Sequence, residues 1–238
     1  MTVRLHRAAV AAAAVLVLAF AGCAELQRVE APLAPPPEFP EGYYQQALKA
    51  GKPVFRIDPA QSLVVIEVRR GGSLARLGHD HVVASHEVTG YVAPGEGRAD
   101  LYVVLARMVV DEPALRKESG FDTQPTESDI EGTRANMLNH VLEADKFPFA
   151  LIAVAGADAK EKKTTLAVAV TLHGRTRTLK VPAEIEADGK TFGVSGKVEF
   201  NQTDFGITPY ALLGGAIAVK DGLALRFRVR AQRMPGPG

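Results

Sequence analysis

The chain has 238 residues, 47% apolar and 23% charged, with a formal net charge of +1 and a single cysteine. That is an ordinary composition for a soluble globular protein long enough to bury one good core. It excludes an intramolecular disulfide and gives no sign of the basic surplus that marks a nucleic-acid partner.

Residues 1–22 read as an export signal. Arg4, His6 and Arg7 form a basic start, Ala8 to Phe20 is an uncharged apolar run of 13 residues, and Ala21 and Gly22 are small. Such a run is too short to span a bilayer as a helix. A small pair directly before Cys23 resembles the lipobox of bacterial lipoproteins, in which the signal is cleaved and the new N-terminal cysteine is acylated. Phe20 stands where that motif usually has Leu. The expectation is a lipoprotein anchored to a membrane on the periplasmic side of a bacterial envelope, with plain cleavage near Ala21 as the other outcome. Residues 1–22 hold two of the 28 basic residues and no acidic one, so the mature chain carries 26 against 27 and is near neutral.

Residues 23–52 follow as a lipidated, Pro-rich tether. Pro32, Pro35, Pro36, Pro37 and Pro40 cannot donate to a ladder and favour an extended spacer. "EGYYQQALKA" (41–50) is a candidate short helix, and the body is expected over 53–232.

From there the period is two. Leu166, Val168, Val170 and Leu172 alternate with Thr165, Ala167, Ala169 and Thr171. Leu179, Val181, Ala183 and Ile185 alternate with Lys180, Pro182, Glu184 and Glu186; Leu223, Leu225, Phe227 and Val229 alternate with Ala224, Arg226, Arg228 and Arg230. These are half-buried strands with one wet face. Less regular runs lie at 62–70, 81–93, 98–110, 148–157 and 191–200, and turn signals such as Gly71-Gly72, Pro94-Gly95, Asp188-Gly189 and Asp221-Gly222 separate several of them. The spacing predicts about eight strands in a mainly antiparallel sheet. One segment departs from it. Residues 126–144 carry Ile130, Met137, Leu138, Val141 and Leu142 at helical spacing, with Ser128 and Glu131 as a candidate capping box and Pro148 just beyond the end.

Eight such strands must hide their apolar face, either by closing the sheet or by stacking two. Periodicity leaves barrel and sandwich open. The helical insert and the arginines at 226, 228 and 230 argue against a barrel embedded in lipid.

Three stretches then point to a family. "GHDHVVASHEVTGYV", "SDIEGTRANMLNHVLEADKFPFALI" and "VEFNQTDFGITPY" resemble the YceI-like family, and the resemblance covers about residues 53–232. It implies an all-β chain: an extended antiparallel eight-stranded lipocalin-like barrel with one inserted α-helix and an elongated apolar cavity. It also implies a non-catalytic, exported protein that takes polyisoprenoid or related long-chain lipids, and whose barrels can pair, leaving a homodimer open. The paired histidines of "GHDH" are typical of only part of that family.

The expected lipid cavity is built from inner-face residues: Leu101, Val103 and Leu105; Leu151; Leu166, Val168, Val170 and Leu172; Phe192 and Val194; Leu225 and Phe227. A simple packed core is the competing reading. Small residues at Ala150, Ala153, Ala155, Gly193 and Gly196 favour space over filling. A lipid tail in such a lumen gains about 0.8 kcal/mol per buried CH₂.

His79 and His81 lie two apart, on one face if the strand is extended, and are the one weak metal candidate. His86 falls on the other face; His140 and His173 could join only through folding. The competing reading makes Gly78-His79-Asp80 a strand entry with hydrogen-bonded imidazoles at a barrel mouth. No serine has a nucleophile-elbow context, and "GGSLARLG" follows no βαβ unit, so no catalytic residue and no cofactor is expected. The leading expectation is a lipid-binding envelope protein; a metal-binding protein using His79 and His81, or a structural or partner-binding envelope domain, are the alternatives.

Overall fold

Residues 30–31, 34–157 and 162–236 are described by a computed structural model. The stretch read as an export signal, and Cys23, lie outside the described residues. In chain order the elements are helix α1 (Glu41–Lys49), β1 (Phe55–Ile57), β2 (Leu63–Val68), β3 (Arg70–Gly71), β4 (His81–Ser85), β5 (Val88–Ala93), β6 (Arg98–Val104) and β7 (Val109–Val110). Helices α2 (Pro113–Glu118) and α3 (Glu127–Asn136) come next. The long strands β8 (Phe149–Ala155), β9 (Lys163–Leu172), β10 (Arg175–Ala187) and β11 (Thr191–Asn201) follow, then the short pair β12 (Ala211–Leu212) and β13 (Ile217–Val219), and β14 (Gly222–Arg233).

Closure decides between barrel and sandwich. Strands β1, β5, β6, β8, β9, β10, β11 and β14 pair in that order, each antiparallel to the next, and β14 pairs back onto β1. The result is a closed eight-stranded barrel. Lumen-facing positions are apolar and the outer face carries residues such as Lys180, Glu184 and Arg228, the reverse of a lipid-embedded barrel.

At one end three strands break and continue. β2 carries on from β1 along β14, β4 leads into β5 along β2, and β7 extends β6 along β4. The break between β1 and β2 is a 3₁₀ turn at Pro59–Gln61, where Asp58 accepts the Ala60 N–H at 3.1 Å. The Leu105 N–H still donates to the Pro148 carbonyl at 2.9 Å. Beyond that link β7 is an edge of the ladder and does not reach β8, and α3 packs over the opening. The inserted helix is thus a patch over a split in the wall.

The helix differs from its sequence reading in two ways. Its capping box is Thr126 with Asp129, two residues ahead of Ser128 and Glu131, because Thr126 holds the extended conformation that follows Pro125 and the first turn forms immediately after it. It also does not stay α-helical to residue 144. Met137–Val141 widen into a π turn, with the Leu142 N–H donating to the Met137 carbonyl at 2.8 Å, which swings Leu138 fully into the core.

Two helices stand beside the insert: α1, where the sequence offered a short helix at 41–50, and α2, which it did not offer. α1 lies within the stretch read as a tether, yet it packs on the barrel: Tyr44 and Ala47 are buried against Val54 and Ala93. The Tyr44 hydroxyl donates to Asp100 at 2.6 Å, and burial together with that carboxylate pushes the phenol well above its ordinary range. α2 buries Leu115 and Arg116 against β4.

Candidate functional site

The barrel encloses an apolar cavity of about 520 Å³ that opens at one end. At the far end its walls are Ile57, Val92, Ala99 and Phe192, all buried, with the Phe192 ring 6.0 Å from that of Phe55. At the near end the lining passes through Met137, His79 and His81 to Leu77, Leu212 and Ile217. Leu77 and Leu212 are exposed as well as lining, so they form the lip of the opening.

Eleven of the twelve residues expected in the lumen line it: Leu101, Val103 and Leu105; Leu166, Val168, Val170 and Leu172; Phe192 and Val194; Leu225 and Phe227. Leu151 does not. Register gives the reason. Leu101 pairs with Ile152, so Ile152 shares its inward face, while Leu151 pairs with Tyr102 on the outside. The inner set of β8 is Ala150, Ile152 and Val154, and the segment "FALIAVA" is apolar in both phases, so alternation alone could not choose between them. Among the small residues, Ala153 and Ala155 are exposed on the outside. Gly196 serves a neighbour: a Cβ there would stand 2.9 Å from the Phe227 ring. The space comes from barrel geometry and from β2, whose Val64, Ile66 and Val68 join the lining.

The mouth holds one polar cluster. His81 faces inward beside Val68, and its Nδ1 lies 2.6 Å from Asp111. Asp111 is buried behind the wall, accepts the Val82 N–H at 2.9 Å and a guanidinium N–H of Arg116 at 2.5 Å, and has a left-handed backbone with φ of 59°. Burial alone would raise its carboxyl, but His81, the Val82 N–H and Arg116 outweigh that and hold it below the ordinary value. With Nδ1 committed to Asp111, Nε2 is the nitrogen His81 has for a ligand. The His79 ring lies 6.1 Å from that of His81, its Nδ1 is buried without a partner, and its Nε2 is 3.9 Å from Asp129.

Among the described residues no group of three or more His, Cys, Asp or Glu is placed to hold a metal ion. His86 turns outward to Glu112 at 2.8 Å, His140 is exposed, and His173 meets Glu143 at 2.9 Å. Arg226 and Arg230 on the outer face pair with Glu118 at 3.0 Å and Glu186 at 3.2 Å. The Asp204-Phe205-Gly206 stretch is a 3₁₀ turn closed by left-handed Gly206, with Phe205 fully buried. Asp111 and Arg116 escaped sequence reasoning; thirty residues separate Asp111 from His81, and only the pairing of β4 with β7 joins them.

A closed antiparallel barrel with a one-ended apolar lumen and a polar mouth defines the class of small barrels built around an elongated hydrophobic guest site. The chain matches the family model of the YceI-like domain over residues 55–231, and it belongs to that family. Among solved structures it is similar to a polyisoprenoid binding domain from Saccharophagus degradans implicated in plant cell wall breakdown, at 11% identity and a TM-score of 0.55, covering 77% of this chain and 98% of that one. It is also similar to BcnA of Burkholderia cenocepacia, at 15% identity and a TM-score of 0.50, covering 74% and 99%. At those identities the likeness is one of fold. No curated protein matches the sequence.

Proposed function

We propose that this protein is an exported, non-catalytic carrier of the bacterial cell envelope that holds one long-chain lipid of isoprenoid type in its barrel. The observation that supports this most is the apolar cavity of about 520 Å³, closed beyond Phe192 and opening beside His79 and His81. A tail laid along Leu101, Ile152 and Val168 gains roughly 0.8 kcal/mol for each CH₂ withdrawn from water. The blind end takes the tail, and the mouth keeps the polar head within reach of the histidines. The polyisoprenoid binding of the Saccharophagus domain agrees with this reading. Export rests on residues 1–22 and the anchor on acylation of Cys23.

Mass spectrometry of organic extracts from natively purified protein tests the proposal. One long-chain lipid per protein is the expected result. Protein that carries none, and that takes up no geranylgeraniol in a titration, refutes it. Cys23→Ser is expected to move the protein from the detergent-requiring membrane fraction to one released by a salt wash; an unchanged fraction removes the anchor.

A further inference from the structure

Among the described residues four large apolar side chains are strongly exposed; Leu77 and Leu212 line the cavity mouth, and Leu213 follows Leu212 at the tip of the same hairpin. The fourth is Val109, on the edge strand β7. Leu213 is the most exposed, at 73%, and sits at a hairpin tip with φ of 50°, followed by left-handed Gly214 and Gly215. A leucine in the left-handed region is strained, and Gly or Asn would make the same turn at lower cost. Most of its side chain stays in solvent, so burial does little to offset that strain. The hairpin is nevertheless tied down. β12 pairs with β13 and β13 with β3, the Leu74 N–H donates to the Ala216 carbonyl at 2.7 Å, and the Lys220 N–H donates to the Arg69 carbonyl at 2.8 Å. Gly72 permits the approach, since a Cβ there would lie 2.4 Å from the Ala216 carbonyl oxygen. The leucines are therefore displayed on a fixed platform.

Charge gives the platform a direction. The two segments that form this lip, 69–80 and 208–221, contain Arg69, Arg70, Arg76 and Lys220; Arg69 pairs with Glu67 at 3.0 Å and Arg70 with Asp122 at 3.2 Å, and both lie within 4 Å of Asp80, so the charge the lip offers comes from Arg76 and Lys220. Arg76 and Lys220 are exposed. α3 brings Asp129 to the same mouth, 3.9 Å from His79. The leucines thus stand beside two exposed cations, Arg76 and Lys220.

We infer that the lip formed by Leu77, Leu212 and Leu213 docks on an anionic bilayer surface, its leucines entering the acyl boundary while Arg76 and Lys220 meet lipid phosphates. This goes beyond the carrier reading. Continuity with the mouth favours a bilayer as the occupant: Leu77 and Leu212 line both the cavity and the outer surface, so an apolar path runs from membrane to lumen. A second copy of the chain fits less well, because three leucines fall far short of the ~1,000 Å² that a stable protein interface buries. Interfacial binding by a few apolar side chains beside basic ones is weak and reversible, so the mouth can engage and release the surface while the chain stays tethered.

The test uses the chain from Ala24 onward, which holds the entire closed barrel and its helices, so neither the export signal nor an acyl group contributes. Flotation is measured with vesicles of phosphatidylethanolamine and phosphatidylglycerol, and with vesicles of phosphatidylcholine alone. Binding to the anionic vesicles, lost at high salt and about tenfold weaker in Leu213→Asp, is expected. Leu213→Gly is expected to weaken binding while its thermal midpoint holds or rises, which separates docking from folding. No binding to anionic vesicles, or equal binding by Leu213→Asp, overturns the inference. So does self-association that Leu213→Asp abolishes in a protein that ignores vesicles. Flotation is read with no guest lipid added, so its failure is distinct from failure to retain a lipid tail.

Discussion

Asp111 ties the mouth together. One carboxylate with no exposed side-chain surface receives an imidazole from β4, a backbone N–H from β4 and a guanidinium from α2. Removing one partner of a buried charged pair is costly because the other remains desolvated, typically by about 3 kcal/mol or more. Asp111→Asn is a clean probe, since asparagine tolerates the left-handed backbone that this position requires. It is expected to destabilise the fold by roughly 3 kcal/mol in urea titrations at neutral pH. The pH dependence has a definite sign. A carboxyl whose folded pKa is depressed stabilises the fold above its ordinary value of 3.8, and that contribution is lost as pH falls through the lower folded value. The variant should therefore show a shallower loss of stability in acid than the parent. His79 and His81 could be singled out from spacing alone, whereas Asp111 could not, because its role depends on strand pairing across thirty residues.

Among the elements, the faces of β9, β10 and β14 were legible because large apolar residues alternate with polar or small ones, so only one face can supply the core. β8 was not, since Phe149, Leu151, Ile152 and Val154 place apolar groups on both faces and the phase is set by β6. The pair Ile152→Trp and Leu151→Trp exposes that difference. A Trp at 152 enters the lumen, takes up space the guest would fill, and is expected to cut retention of a long-chain lipid at least tenfold. A Trp at 151, beside Tyr102 on the outer face, should leave retention unchanged in the same assay. The π turn at Met137–Val141 was equally hidden. Helical periodicity runs through it without interruption, and the widening falls where Leu138 is buried in the main core.

At the scale of the whole molecule, strand count and antiparallel pairing followed from alternation and turns, but closure did not. It depends on β14, twelve residues long, spanning β11 on one side and both β1 and β2 on the other. The lumen that results ends at Phe55 and Phe192, and a passage with one doorway imposes an order on traffic. A newcomer cannot push the resident out from behind, so the old lipid must back out before the next is threaded in. The half-time for swapping a fluorescent isoprenoid against an unlabelled competitor should accordingly be the same at every competitor concentration. A half-time that shortens as competitor is added would mean that the tube has a second way through.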